Sequence, residues 1–247
     1  MNNARPFLFA AVAAVLPLPL TAQEAAAEAP PAPRKWETSA AAGATVTAGN
    51  SDTLLFTADI TTLRNWENDK LTAGVTGGYG EDNSEVNNEF IRAFVQYNRA
   101  LTDRWYAYGR LDFLYDGIAD IDYRFALSPG IGYHMVKSDR TTLSVEAGPG
   151  YVWEKLGGVE DDYPTLRFAE RFTFKINDRA RLWQSLEFVP QVEDFGNFFL
   201  AAELGIEADI TKQLSLRLVA SNQYRSEPAA GSDENDFRLV AGVGYKF

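Results

Sequence analysis

The 247-residue chain contains no cysteine and a single histidine, His134. The first absence excludes a disulfide framework, a thiolate metal site and a cysteine nucleophile. The second leaves little material for an imidazole metal site or for general-base catalysis. Basic residues are also short, with 23 Lys and Arg against 34 Asp and Glu, for a net charge of −11. Phosphate binding needs a basic surface, so nucleic acid is excluded as a partner. Long apolar runs are missing from nearly the whole chain. Apolar residues make up 46% of it, yet the mean hydropathy is −0.23. Apolar and polar residues must therefore be interleaved.

The exception is the start, MNNARPFLFAAVAAVLPLPLTAQ. Arg5 precedes an apolar run from Phe7 to Leu16, which Pro17 and Pro19 end. A helix needs about 20 apolar residues to cross a bilayer. This shorter run reads as a secretory signal peptide over 1–22, cleaved after Ala22, in preference to a membrane anchor. Residues 23–37 are rich in Ala, Pro and Glu and read as a periplasmic tail. The structured domain is expected over 38–247.

Within that domain five polar clusters recur, each followed by alternation: WENDKLT, LTDRWYA, VKSDRTTL, INDRARLW and ITKQLSL. Aligning Lys70, Arg104, Arg140, Arg179 and Gln213 gives spacings of 34, 36, 39 and 34 residues, enough for two strands and their connections. Between them apolar residues recur at every second position. FFLAAELGIEADI places Phe198, Leu200, Leu204 and Ile206 on one face and Glu203, Glu207 and Asp209 on the other. The 90–100 stretch is ambiguous, because Phe90 and Phe94 compete with Ile91, Val95 and Tyr97 for the apolar face.

Twelve strands are expected: 39–48, 53–66, 70–80, 89–101, 104–116, 123–136, 141–154, 165–177, 180–192, 197–210, 213–225 and 237–247. The five repeated turns are short, as is GNSD (49–52). The others, at 81–88, 117–122, 156–164, 193–196 and 227–237, are longer and acidic or Gly-rich. Most strands run past the usual 5–6 residues and match the 9–11 of tilted membrane strands. The fold class is therefore all-β: a closed antiparallel transmembrane barrel of about 12 strands, with short periplasmic turns and longer extracellular loops. Aromatics at strand ends, including Trp66, Tyr79, Trp105, Trp153 and Tyr245, fit interfacial girdles. A secreted sandwich or lipocalin-like barrel would also alternate, but with a Lys- and Glu-rich outer face. Pro129 and Pro149 remove ladder donors from adjacent strands, so a kink and bulge are expected at 128–130 and 148–150.

The polar parity assigns Asp59, Arg92, Arg110, Asp112, Arg124, His134, Glu146, Arg167, Arg171, Lys175, Glu187, Glu203, Glu207, Arg217 and Arg238 to the lumen. These charges line a selective pore or close the barrel with salt bridges. His134 falls on the lumen side, away from the outer leaflet, so no catalytic residue is assigned. Asp120, Asp122, Glu160, Asp161, Asp162, Asp233, Glu234 and Asp236 fall in loops, with no EF-hand spacing. No metal and no cofactor is expected; divalent ions bridging these loops to surface lipid are the residual metal hypothesis. GVTGGYG (74–80) lacks the features of a phosphate loop.

The closing stretch LVAGVGYKF alternates to the last residue, with Val243, Tyr245 and Phe247 on one face. It resembles the C-terminal signal by which bacterial outer-membrane barrels are recognised for assembly. AGATVTAGNSDTLLFTADI, SPGIGY (128–133), GPGYVW (148–153) and GVGYKF together resemble a bacterial outer-membrane family of undefined activity, often labelled salt-induced outer membrane proteins. The resemblance covers roughly 38–247. It implies a stress-linked envelope protein of the bacterial outer membrane, and the even strand count is expected to leave both mature termini periplasmic. The family resemblance implies no known chemistry; the expected partners are outer-membrane lipid and lipopolysaccharide around the barrel and, through the C-terminal strand, the barrel-assembly machinery. The expected function is a non-enzymatic narrow pore for small polar solutes or ions, or a closed stress-related barrel. The alternatives are a barrel enzyme acting on lipid or envelope peptide, and a surface-binding barrel working through its loops.

Overall fold

The computed structural model describes residues 36–47, 53–83 and 85–247. The segment expected as a signal peptide, nearly all of the expected tail and the GNSD turn lie outside them. The described chain forms twelve strands. They are β1 (Glu37–Thr47), β2 (Thr53–Asn65), β3 (Asp69–Asp82), β4 (Glu85–Ala100), β5 (Trp105–Asp116) and β6 (Ile121–Lys137). There follow β7 (Thr141–Leu156), β8 (Val159–Asn177), β9 (Ala180–Pro190), β10 (Phe198–Asp209), β11 (Leu214–Arg225) and β12 (Asn235–Lys246). Each pairs antiparallel with its sequence neighbours, and β1 pairs with β12 to close the barrel. Closure leaves no open sheet edge.

The seam runs through Ser39↔Lys246 and Ala42↔Val243. The Phe247 N–H adds a bond to the Thr38 carbonyl at 3.0 Å. Here the strands approach closely: a Cβ on Gly43 would stand 2.7 Å from the Ala241 carbonyl oxygen. The end of the barrel holding Phe247 and the 66–68, 101–104, 138–140, 178–179 and 210–213 turns is termed the terminal end. The opposite end is the loop end.

Two of the expected long loops are largely strand. The chain reverses between Asp82 and Glu85, and again at Gly157 and Gly158. Both of these glycines have positive φ, +58° and +74°, the backbone of a two-residue type I′ hairpin. Glu160, Asp161 and Asp162 therefore pair with Lys155, Glu154 and Trp153 in the ladder and do not form a loop. The longer connections that remain at this end are 191–197 and 226–234.

The proline expectation holds in half. Leu127↔Tyr151 and Ile131↔Ala147 are paired while the three positions between them are not, which sets Pro129 opposite Pro149. Two prolines facing each other remove both donors of one rung. The register is the same on either side of the gap, so no residue is bulged there. The β6–β7 irregularities lie instead at Ile121/Tyr123 and His134/Val136.

Alternation sorts every strand into two walls. In β4 the ambiguity resolves: Ile91 is 49% exposed, with Val95 and Tyr97 similar, while Phe90 is 4% exposed and faces inward. The cause lies in β3. The Phe90 ring packs against Gly78, and the Phe94 ring against Gly74. A side chain at either glycine would occupy the ring's place: a Cβ on Gly78 would stand 2.3 Å from the Phe90 ring. Tyr106 over Gly132, Tyr108 over Gly130 and Trp183 over Gly205 repeat the arrangement. The ring fills the hole its neighbour leaves and braces two strands.

Candidate functional site: the charged barrel interior

The inward wall carries ion pairs that link strands far apart in sequence. Four carboxylates are nearly inaccessible, and each is held by at least two cations. Glu146 on β7 accepts from Arg167 Nη1 at 2.8 Å, and Arg171 Nε stands 4.0 Å away. Glu207 on β10 accepts from Arg181 at 2.6 Å, with Lys246 at 3.3 Å and Arg217 at 3.4 Å. Glu154 on β7 is met by Arg225 at 3.0 Å and Arg124 at 3.4 Å. Asp116 on β5 is met by Arg238 at 3.3 Å and Arg92 at 3.9 Å. A charge taken from water needs such compensation, since an unpaired one is costly.

More accessible carboxylates take up several of the remaining cation contacts. Glu187 accepts from Arg167 Nη2 at 2.7 Å, and Asp59 pairs with Arg217 at 3.3 Å. Asp112 is held by Arg110, two residues away on the same face. Asp236 pairs with Arg238. Glu203 accepts from the Trp183 indole at 2.6 Å.

Several contacts cross the barrel. Gln96 on β4 donates to Glu146 on β7 at 2.8 Å. Its carbonyl accepts from Arg110 at 3.1 Å and from Arg171 on β8 at 3.0 Å. Arg92 on β4 donates to Gln223 on β11 at 2.9 Å, and Arg225 on β11 reaches Glu154 on β7. Strands so far apart in the barrel order meet only through its interior. The guanidinium groups also lie over the inward rings. Arg92 and Arg238 stand 4.5 and 4.3 Å from the Phe90 centroid, and Arg110 stands 4.6 Å from that of Phe94. These are cation–π distances.

Of the residues expected in the lumen, most join this network. Lys175 does not: it is exposed at the terminal end, beside Arg140 of the 138–140 turn. His134 packs against the Tyr106 ring at 4.9 Å, and its Nδ1 is buried without a hydrogen-bond partner. Nothing fixes its tautomer as a base for a nucleophile would require. The sequence reading missed Gln96, Tyr106, Asp116, Glu154, Arg181, Arg225 and Lys246. Parity alone would have found Gln96 and Lys246, the latter hidden by the attention its neighbours Tyr245 and Phe247 attract. Asp116, Glu154 and Arg225 stand at strand ends, where polar residues are ordinary.

The outer wall is apolar, with rims of a different kind. At the loop end Tyr115 donates to Glu89 and Tyr224 to Glu234, while Tyr79 bonds Glu81 and Tyr151 bonds Asp162. At the terminal end Arg64 lies between Trp36 and Trp66, 5.2 and 4.6 Å from the ring centroids. The acidic residues of the loop end are largely spoken for: Asp122 pairs with Lys155 at 2.9 Å. Among the described residues no three acidic or imidazole groups converge as a metal site would need.

A closed barrel with an apolar outside and a charged inside is the architecture of outer-membrane channels. The NanC porin superposes on this chain with a TM-score of 0.53 at 11% identity, over 85% of this chain and 100% of that one. The COG4313 outer membrane channel from Pseudomonas putida F1 superposes with a TM-score of 0.51 at 8% identity, over 89% and 100%. At such identities the likeness is one of fold. The chain belongs to the family described as a protein of unknown function, DUF481, whose pattern matches residues 40–247. No curated protein matches it.

Proposed function

We propose that this chain is a non-enzymatic outer-membrane barrel forming a narrow pore for small polar solutes or ions. One observation carries the reading: the inward wall is charged and hydrogen-bonded across the lumen, inside an outer wall of exposed apolar side chains. An apolar exterior is stable only against lipid, and a charged interior only against water or its own counter-charges. Twelve strands give a lumen well below that of a wide porin, and the Arg92–Gln223 and Gln96–Glu146 contacts narrow it further. In this reading the terminal end faces the periplasm and a leader within 1–22 directs export. The exposed Val243, Tyr245 and Phe247 present the closing strand to the assembly machinery. The tyrosine–carboxylate rim of the loop end meets lipopolysaccharide.

The test is single-channel recording of refolded protein in a planar bilayer, in a salt gradient. Discrete steps of small conductance, with a reversal potential that moves when Arg171 or Arg92 is neutralised, are expected. Protein that is folded and inserted yet silent would overturn the pore in favour of a barrel closed by its own salt bridges.

A further inference from the structure

Away from its rims, the apolar outer wall of β7–β9 is interrupted by a polar pair, Glu170 on β8 and Gln184 on β9. Glu170 on β8 shares the outward parity of Phe168 and Phe172, and its ladder partners are Val145 and Leu186. Apolar side chains thus flank the carboxylate on all four sides. It accepts one bond, from the outward-facing Gln184 on β9, at 3.2 Å. Glu170 lines an open groove of about 510 Å³ with Trp105, Ile131, Ala147, Phe168, Leu186 and Phe188, and Gln184 reaches it through the bond to that carboxylate. A carboxylate facing hydrocarbon is costly unless it finds donors, and one amide leaves most of its acceptor capacity unused.

The depth of the pair matters. The ladder through Glu170 runs Trp105, Tyr133, Val145, Glu170, Leu186, Ala202, Asn222, Phe237. It begins at the terminal end of β5 and finishes near the loop end of β12, so each step to the next strand climbs. Gln184 lies one strand on from Glu170, on β9, and two residues nearer the terminal end than Leu186, the ladder partner of Glu170, which offsets the climb. Donor and acceptor therefore sit side by side at nearly one depth. Two copies inserted in the same direction are related by an axis along the membrane normal, which preserves depth. Such an axis beside the pair sets the Gln184 amide of each copy against the Glu170 carboxylate of the other.

The geometry points to a second copy of this chain as the occupant of this face, in a two-fold dimer that closes the groove and gives each Glu170 a second amide donor. Interhelical polar contacts in membranes supply the scale. The inference rests on the outer wall facing lipid and is independent of whether the lumen conducts.

Because the chain lacks cysteine, single-cysteine variants report contact directly. Leu186→Cys, beside the pair, and Leu216→Cys, on β11 away from it, are reconstituted in liposomes and oxidised. Insertion is checked by heat-modifiable mobility, and the mass of the unmodified protein is measured in mild detergent. A dimeric mass and cross-linking at 186 but not at 216 are expected. Replacing both Glu170 and Gln184 by Leu should lower the dimer fraction about fivefold, and the exchange Glu170→Gln with Gln184→Glu should restore it. A barrel that fails to insert overturns the membrane reading itself. An inserted monomer, equal cross-linking at both positions, or a dimer indifferent to the double Leu variant overturns the dimer alone.

Discussion

On β12 the outward residues Phe237, Leu239, Val243 and Tyr245 stand exposed, while inward Arg238 and Lys246 each meet two carboxylates. The two sets alternate along one strand. They differ in what their surroundings ask of them. Lipid asks an outward residue only to be apolar and of any convenient shape. The interior asks an inward residue for a partner at a given distance on a given strand. The outer wall should therefore accept many apolar replacements and reject charge, whereas the inner wall should reject the loss of particular charges.

The sharpest break of that contrast is Arg167→Ala. Arg167 is buried between Glu146 and Glu187. Its removal takes the ion pair from Glu187 and the nearer of two cations from Glu146, which keeps Arg171 at 4.0 Å and the Gln96 bond. A loss of about 3 kcal/mol, the low end for a broken buried pair, is expected, read from urea unfolding in detergent micelles. An unchanged midpoint would mean that water already screens the pair. On the other wall, Leu218→Arg sets a charge against lipid, where about 2–4 kcal/mol is the cost at the bilayer midplane. The adjacent inward Arg217 is a native charge, so the same residue type should be tolerated one position away.

Gly205→Ala tests the ring-over-glycine packing. The added carbon would stand 2.0 Å from the Trp183 ring, so the ring must leave and lose its bond to Glu203. A loss of about 1–3 kcal/mol is expected, with a shift in tryptophan emission that Gly109→Ala, in open space, should not produce. The mildest change is Gln223→Ala, which removes a cross-lumen contact to Arg92. Stability should move by about 1 kcal/mol or less, while any pore conductance should rise.

The strands were legible because a single physical demand, burial of one face, repeats every second residue over ten or more positions. Ten of the twelve expected strands lie within two residues of the observed ones at both ends for that reason, whereas β4 and β8 begin four and six residues earlier than expected. Where two demands compete, the reading faltered. Residues 90–100 carry apolar side chains on both parities, and only Gly74 and Gly78 on the neighbouring strand make room for Phe94 and Phe90 inside. The Gly157–Gly158 hairpin was readable from its dipeptide, yet the acidic residues after it resemble a loop. The inward charges could be enumerated but not paired, because Gln96 and Glu146, or Arg92 and Gln223, become neighbours only when the sheet closes with one register.

What the sequence by itself determined is the period, the strand number and the sign of each wall, since these follow from side-chain hydropathy and turn chemistry that act locally. Tertiary structure alone decided which carboxylate lies beneath which arginine, which glycine holds which ring, and that Glu170 and Gln184 share one depth on the outer wall. Those relations depend on shear and closure, which fix distances between residues that the chain keeps far apart.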